Sequence, residues 1–395
     1  MNKLSIDDLK KVKGKRIFLR VDFNVPLDAN QNITDNTRIK AALPTIRNLI
    51  KRGARLILVS HMGRPEGKRD ESFSLKPVAE ELERLLDQHV SFSPDVLGPI
   101  AQSAIDCLKD GDCLLMENIR FYPEESANDP QFAKEMASMV DLYVNDAFGA
   151  AHRAHASTVG VSKYFENAAC GYLMKKELEF LSKLVGNPPR PFYSIIGGGK
   201  IKDKIKLVSR LIEISDKVIV GGGMAYTFLK VKGFSIGKSV FDNDSLKIVQ
   251  DTIELADKLK KELLLPIDHV VAKEFNDECT FMAVERNIPD DYIGLDIGPK
   301  TIEMYKNALK GAQTIFWNGP MGVFELKNFQ RGTFEVASEV SKSDGITVVG
   351  GGDSVEAINR IGMAGAMSHI STGGGASLEF LEGHKLPGIE ALADQ

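Results

Sequence analysis

The sequence predicts an α/β fold with two doubly wound parallel sheets. Short β-branched and aliphatic runs recur along the chain, and longer amphipathic stretches separate them, which is the pattern of β-α units. The length of 395 residues, at 43% apolar and 26% charged content, exceeds what one hydrophobic core normally serves, so two Rossmann-like domains are expected. The runs of the two halves also end in different residues, which gives each domain its own chemistry.

In the first half the runs include RIFLRVDF from Arg16, ARLILVSHMG from Ala54, DCLLMENIR from Asp112 and DLYVNDAFG from Asp141. Later come FYSIIGGGK from Phe192, KVIVGGGM from Lys217, IGLDIGP from Ile293, TIFWNGPMG from Thr314, ITVVGGGD from Ile346 and HISTGGG from His369. Between the sets, Leu178, Leu181 and Leu184 with Val185 repeat at helical spacing until Gly186 and Pro188 stop the pattern. A hinge helix joining the domains is the reading, since the stretch lacks the low complexity of a flexible linker.

Charge narrows the function. Lys and Arg number 50 against 54 Asp and Glu, a net charge of −4, so there is no general attraction to nucleic acid or acidic membranes and any basic site must be local. The start, Met1-Asn-Lys-Leu-Ser-Ile-Asp-Asp, lacks the apolar core of a signal peptide, and no run approaches the roughly 20 apolar residues of a membrane span. A cytoplasmic protein is expected. Cys107, Cys113, Cys170 and Cys279 form no Cys-x-x-Cys pair and are expected to be buried free thiols.

Ligands of open α/β sheets sit beyond the carboxyl ends of the strands, so the residues that end each run are the candidates for chemistry. First-half runs end near Asp22, Asn24, His61, Arg64, Arg120, Asn145 and Asp146, with His152 and Arg153 just beyond. Arginine presents a planar fork of donors suited to phosphate and carboxylate, so Arg64, Arg120 and Arg153 converging from separate loops make a pocket for a small polyanion. Arg38 adds a charge near the start of a helical pattern, itself attractive to anions. His152 and His155 stand three apart, but no nearby Cys or carboxylate completes a metal set.

Second-half runs end in glycine clusters at 197–199, 221–223, 350–352 and 373–375. Glycine lets a backbone approach phosphates and point amide N–H groups at them, so repeated turns of this kind indicate a nucleotide. The dinucleotide pattern G-x-G-x-x-G fails at Gly221, because Tyr226 takes the third glycine's place, and the Gly233 to Ser239 stretch is one residue short of a Walker A loop. In GGGKIKDK, Lys200 and Lys204 at i, i+4 share one face of a nascent helix. Asp353, after the glycines of GGGDS, is placed to hold Mg²⁺ beside nucleotide phosphates or to cap a helix, a role Ser354 serves equally well.

RVDFNVP at Arg20, HMGRP at His61, ENIRF at Glu117, NDAFGAAHRAHAS at Asn145, WNGPMGVFE at Trp317 and STGGGASLE at Ser371 together closely resemble the phosphoglycerate kinase family, in order and over nearly the whole chain. The resemblance implies a cytoplasmic monomer that moves a phosphoryl group between ATP and the carboxylate of 3-phosphoglycerate, forming ADP and 1,3-bisphosphoglycerate in glycolysis. It implies a phosphoglycerate-binding domain over 1–170, a connecting helix and hinge over 171–190, a Mg-nucleotide domain over 191–378, and a final segment, 379–395, packed back on the first domain. By motif, Asp22, Phe23, Asn24, Arg38, His61, Met62, Gly63, Arg64, Arg120 and Arg153 bind phosphoglycerate, and Lys204, Gly294, Glu325, Gly350, Gly351, Gly352, Asp353 and Ser354 bind nucleotide. Gly199 stands where alanine is usual, Met62 where leucine is common and Ser354 where threonine is frequent; none of these removes a charge.

A carboxylate acceptor, with a usual pKa near ~4, is already ionised and needs no general base. The remaining task is to position polyanions and stabilise the transferring phosphoryl, which falls to Arg38, Lys200, Mg²⁺ on Asp353 and the amides of Gly373 and Gly374, after closure of the domains. Two other readings compete. A nicotinamide-dependent dehydrogenase fits the two-domain form but lacks the dinucleotide motif, and a non-catalytic anion-binding protein leaves Lys200, Lys204 and Asp353 unexplained.

Overall fold

Strands form where aliphatic side chains can be buried on both faces of a sheet. In the first set, β1 (Arg16–Arg20), β2 (Arg55–Val59), β3 (Val90–Ser93), β4 (Cys113–Met116), β5 (Leu142–Asn145) and β6 (Ala169–Cys170) make a six-stranded sheet in the order β3-β4-β2-β1-β5-β6. Every pair in it is parallel. Ile17, Leu19, Leu56 and Leu58 join Ile39, Ala42, Leu43, Ile46 and Leu49 of the helix Thr37–Lys51 in one core. The helical spacing of the latter set is what turns one face of that helix to the sheet. The computed structural model describes residues 2–199, 201, 202 and 204–395.

The second set holds β7 (Phe192–Ile196), β8 (Lys217–Val220), β9 (Glu262–Leu264), β10 (Asp268–Ala272), β11 (Phe281–Glu285), β12 (Ile293–Ile297), β13 (Thr314–Asn318), β14 (Ile346–Gly350) and β15 (His369–Ile370). Six of them make a second parallel sheet, β15-β14-β13-β7-β8-β9. The other three make an antiparallel sheet, β11-β10-β12. The run from Ile293 is therefore a strand, but outside the parallel sheet in which the β-α reading placed it. An aliphatic run reports burial, and its pairing partner depends on β10, which the sequence reading did not identify.

The chain divides into two compact units, one running to Glu179 together with His384–Gln395, the other Phe180–Gly383. The division falls inside the helix Tyr172–Val185, where Leu178, Leu181 and Leu184 are buried. The second unit thus begins earlier than residue 191, because Phe180 stacks on His369 at 4.8 Å between centroids. The last residues lie on the first unit, with Gly388 N donating to Ala151 O (2.8 Å), Ala393 N to Ala168 O (2.9 Å) and Leu4 N to Ala393 O (2.8 Å). All four cysteines are free thiols, but only Cys113 and Cys170 are buried; Cys107 is exposed and Cys279 half-buried, contrary to the sequence expectation. Among the described residues no helix is long and apolar enough to cross a membrane.

Strand order locates the crevices. In the first unit the chain leaves β1 toward β2 on one side and returns with β5 on the other; in the second it leaves β7 toward β8 and returns with β13. The carboxyl ends of β1 and β5, and of β7 and β13, are the topological switch points where such sheets bind ligands.

Candidate active site in two parts

In the first unit the segment after β1 is stitched to the segment after β2. Phe23 N donates to Ser60 Oγ (2.8 Å), and Gly63 N donates to Asn24 Oδ1 (2.9 Å). Asp22, 7% exposed, accepts a hydrogen bond from Arg38 Nη1 at 2.7 Å, and its other oxygen lies 3.9 Å from His61 Nδ1. Arg20, which ends β1, is 1% exposed; its Nη2 reaches His61 Nδ1 at 3.2 Å. An arginine only donates, so His61 Nδ1 accepts and the ring is neutral. Burial, then the charges of Arg20, Arg120 and Arg38, hold the His61 pKa well below its usual value. Arg120 Nη1 donates to Gly63 O (2.7 Å), and burial with the charges of Arg20 and Arg153 pushes its pKa down to about 10, which leaves it cationic at neutral pH. Arg153 Nε donates to His152 Nε2 at 3.1 Å.

Arg20, Arg38, Arg120 and Arg153 thus share one electrostatic neighbourhood at the β1–β5 crevice. Asp22, Phe23, Asn24, His61, Met62 and Gly63 build its frame, with Met62 N held by Asn118 Oδ1 (3.2 Å). Arg64 is exposed at the rim and, among the described residues, makes no hydrogen bond or ion pair. Sequence reasoning did not single out Arg20, Ser157 or Glu125. The available signal was a charge inside a buried parallel strand, which needs an internal partner. His155 faces Glu125 Oε1 at 3.7 Å, and burial with the charges of Arg120, Arg20, Arg153 and His152 lowers its pKa to about 4. Among the described residues no cluster of metal-ligating side chains occurs.

In the second unit the glycine turns are packed directly against one another. Gly197 N donates to Asn318 O (2.9 Å) and Gly198 N to Pro320 O (2.8 Å). A Cβ on Gly197 would lie 2.1 Å from Pro320 O, so only glycine allows the turns after β7 and β13 to meet. Lys204 Nζ donates to Gly197 O at 2.9 Å. The helix Ile205–Ile214 begins one residue later, so Lys204 precedes that helix. Lys200 lies outside the described residues.

Beyond β14, Gly351 has φ +90° and the helix Gly352–Arg360 starts at the turn. Asp353 is exposed in the first turn of that helix, and among the described residues its carboxylate bonds to nothing. Ser354 is buried and its Oγ accepts from Gly319 N at 2.6 Å, tying the ends of β13 and β14 together. Neither side chain caps the helix, which corrects the capping alternative for both. Asn318, 2% exposed at the end of β13, keeps a buried Oδ1 with no hydrogen-bond partner among the described residues, beside this turn. Gly373 N donates to Ser371 Oγ (3.2 Å), and Gly374, φ +53°, precedes the helix Gly375–Leu381. Gly294 is buried in β12, its N–H bonded to Ser239 Oγ (2.9 Å), and Glu325 is exposed in the segment after β13.

A cavity of about 440 Å³ opens beside the first glycine turn, lined by Gly199, Ile201, Lys202, Thr227, Val240, Phe241 and Asp242. Val240 and Phe241 expose 59% and 42% of their surface there. Sequence reasoning missed this apolar wall, because it follows a helix and not a strand.

A doubly wound α/β protein with arginines at one switch point and glycine turns at another is of the class of enzymes that handle phosphorylated substrates. The family model for phosphoglycerate kinase matches residues 6–384. A phosphoglycerate kinase of Moorella thermoacetica is 53% identical over 396 residues, spanning 100% of both chains, and one of Clostridium botulinum is 51% identical over 397 residues, spanning 100% of this chain and 99% of that one. The solved phosphoglycerate kinase of Coxiella burnetii superposes with a TM-score of 0.89 at 40% identity over 98% of each chain, and that of Pyrococcus horikoshii with 0.86 at 34% identity, also over 98% of each. The chain belongs to the phosphoglycerate kinase family.

Proposed function

We infer that the chain transfers a phosphoryl group reversibly between ATP and the carboxylate of 3-phospho-D-glycerate, giving ADP and 1,3-bisphosphoglycerate in glycolysis, as a cytoplasmic monomer. The observation that carries this reading is the arginine cluster at the β1–β5 crevice: among the described residues Arg120 and Arg153 have no carboxylate partner within ion-pair distance, and His61 and His155 beside them are held neutral. Such a site takes up a phosphate and a carboxylate. The ionised acceptor requires no general base.

On this reading the unit ending at Glu179 is the phosphoglycerate domain. Arg120, Arg153 and Arg64 hold the substrate phosphate, Asp22 and Asn24 orient the hydroxyl and carboxylate, and Arg38 strengthens its contact as charge moves onto the transferring group. Phe23, His61, Met62 and Gly63 shape the floor. The unit beginning at Phe180 takes the nucleotide. Val240 and Phe241 offer the base an apolar wall, the turn from Gly350 to Gly352 faces the phosphates, and Lys204, Gly294, Glu325 and Ser354 complete the frame.

Mg²⁺ suits the exposed Asp353 carboxylate, because this ion keeps several waters and takes only one or two protein carboxylates beside nucleotide phosphates. When bound it supplies positive charge that offsets the phosphates. Lys200 and the amide of Gly374 donate to the transferring phosphoryl, joined by the Gly373 amide once it leaves Ser371 Oγ, and closure of the two domains brings the reactants into line and expels water.

The direct test is a coupled assay with ATP, Mg²⁺ and 3-phosphoglycerate, omitting each in turn. Turnover that survives omission of 3-phosphoglycerate, or direct nicotinamide reduction, would refute the reading. For closure, solution X-ray scattering should show the smallest radius of gyration with 3-phosphoglycerate and a non-reacting nucleotide analogue together, since a ligand shifts an equilibrium only through its preference for one state. An unchanged radius in every state would remove closure.

A further inference from the structure

Behind the arginine cluster lies a carboxylate that the mechanism leaves unused. Glu125, in the short helix Pro123–Ala127, is 0% exposed. Its Oε2 accepts from Ser157 N at 2.8 Å and its Oε1 from Ser157 Oγ at 2.7 Å, so both oxygens act as acceptors. The Ser157 hydroxyl in turn accepts from Arg20 Nε at 2.8 Å, and Arg20 reaches on to His61. Ser157 belongs to the π-helical turn Ala156–Gly160, immediately after the segment that carries Arg153 and His155. The second carboxylate near the cluster, Asp22, is committed to Arg38.

We propose that Glu125 is a positioning residue for the cationic site. Through Ser157 it anchors Arg20 and the turn that follows Arg153, and its single negative charge sets how tightly the arginines hold a phosphorylated carboxylic acid. The physical need is plain. Four guanidinium groups around one crevice repel one another, and a buried counter-charge behind them lowers that repulsion without occupying the donors that face the ligand. The same charge opposes an incoming polyanion. Glu125 therefore lowers affinity while holding the site in shape, which keeps product release possible.

This proposal rests on the reading of the arginine cluster as the phosphoglycerate site, so the test includes Arg120→Ala as a control. In Glu125→Gln the amide oxygen can still accept from Ser157 N and the NH₂ can donate to Ser157 Oγ, so the side chain keeps both neighbours with the hydroxyl bond reversed, and the negative charge is removed. The dissociation constant of 3-phosphoglycerate, measured by calorimetry, should fall about five-fold, the size expected for one unit charge acting through a partly hydrated interior. KM should fall with it while kcat does not rise, because ground state and transition state gain alike. The dependence of log KM on log ionic strength should steepen. Ser157→Ala keeps the charge but cuts the tie to Arg20, and should move affinity the opposite way, weakening it about three-fold.

A prop with no electrostatic role would give weaker binding and a lower melting temperature in both variants, and that result overturns the proposal. Unchanged affinity in Glu125→Gln overturns it as well. If Glu125→Gln does not fold, unchanged affinity in Ser157→Ala is sufficient to overturn it. Should Arg120→Ala leave 3-phosphoglycerate binding intact, the site assignment itself fails, an outcome distinct from the failure of Glu125 alone.

Discussion

Each unit carries a six-stranded parallel sheet, in the different orders β3-β4-β2-β1-β5-β6 and β15-β14-β13-β7-β8-β9, and the two solve opposite problems at their switch points. The first concentrates charge: Arg20, Asp22, Glu125 and His61 are buried within one hydrogen-bonded network that braces Arg20 and Arg38 from behind. The second concentrates backbone, with turns that meet at Gly197 and Pro320 and few side chains reaching the crevice. A small anionic acid offers few atoms, so its recognition needs forked donors fixed in place. A phosphate chain can be held by N–H groups that any glycine turn supplies, so there the sequence needs smallness more than charge.

The largest expected effect falls on the backbone-rich side, at the exposed carboxylate of its β14 turn. Asp353→Ala should lower kcat by about 10² or more, the scale of losing a principal electrostatic contact in a transition state. Calorimetry should find 3-phosphoglycerate binding nearly unchanged, and a parallel loss there would erase the division of labour between units. Within the charged crevice, Arg38→Ala should cut kcat by about 10²-fold, whereas Arg64→Ala, at the rim, should raise KM about tenfold and spare kcat. Steady-state kinetics decides, and a pure KM effect at Arg38 would remove it from the chemical step.

Acid–base behaviour separates the units next. Burial pushes Asp146 of the first unit up to about 6 and Asp296 of the second up to about 8, the latter although Gly332 N and Ile297 N donate to it. A raised carboxyl keeps its proton in the folded state after the unfolded chain has released it, so stability falls as pH rises. For Asp146 this window runs from about 4 to 6, and for Asp296 from about 4 to 8. Between pH 6 and 8 the second unit should therefore weaken and the first should not. Asp296→Asn should flatten the fall in melting temperature across that range, by up to about 1.4 kcal/mol per pH unit in stability. An unaltered slope would place the titration elsewhere.

The smallest effect concerns glycines. Gly199 has no left-handed φ, and a Cβ added there would meet nothing within 4 Å, so Gly199→Ala should be neutral or stabilise by about 0.4–1 kcal/mol with activity intact. Gly222, at φ +63° with Gly198 N 2.5 Å from its Cβ position, should not tolerate alanine. Chemical denaturation of both variants checks the contrast, and equal tolerance would mean that the glycine turns are not close-packed.

How much of this is legible in the sequence follows the reach of the signals. The strands that end in Asp22, His61 and Asn318 are visible because an aliphatic run and its end lie within ten residues. β10 and β11 escape notice because neither alternates as a half-solvated antiparallel strand usually does: β10 is buried at four of its five positions and β11 exposed at four of five. Arg38, Arg120 and Arg153 stand out by their places after strands or at a helix start. Arg20 is passed over since an arginine at the end of an aliphatic run reads as its boundary, and Glu125 because nothing local marks a carboxylate whose partner is 32 residues away.

The sequence by itself determined the two-sheet α/β class, the connecting helix, the division into an arginine side and a glycine side and, through ordered motifs, the family. These are properties of periodicity and residue type within short windows, where local sterics and hydrophobic burial act. Only the tertiary structure decided that Phe180 belongs with the second unit, that β12 pairs antiparallel, that Lys204 stands before its helix, and that Glu125 and Ser157 brace Arg20. Each of those depends on which distant side chain fills a shared space or completes a buried hydrogen bond, and such pairings exist only once the chain has folded.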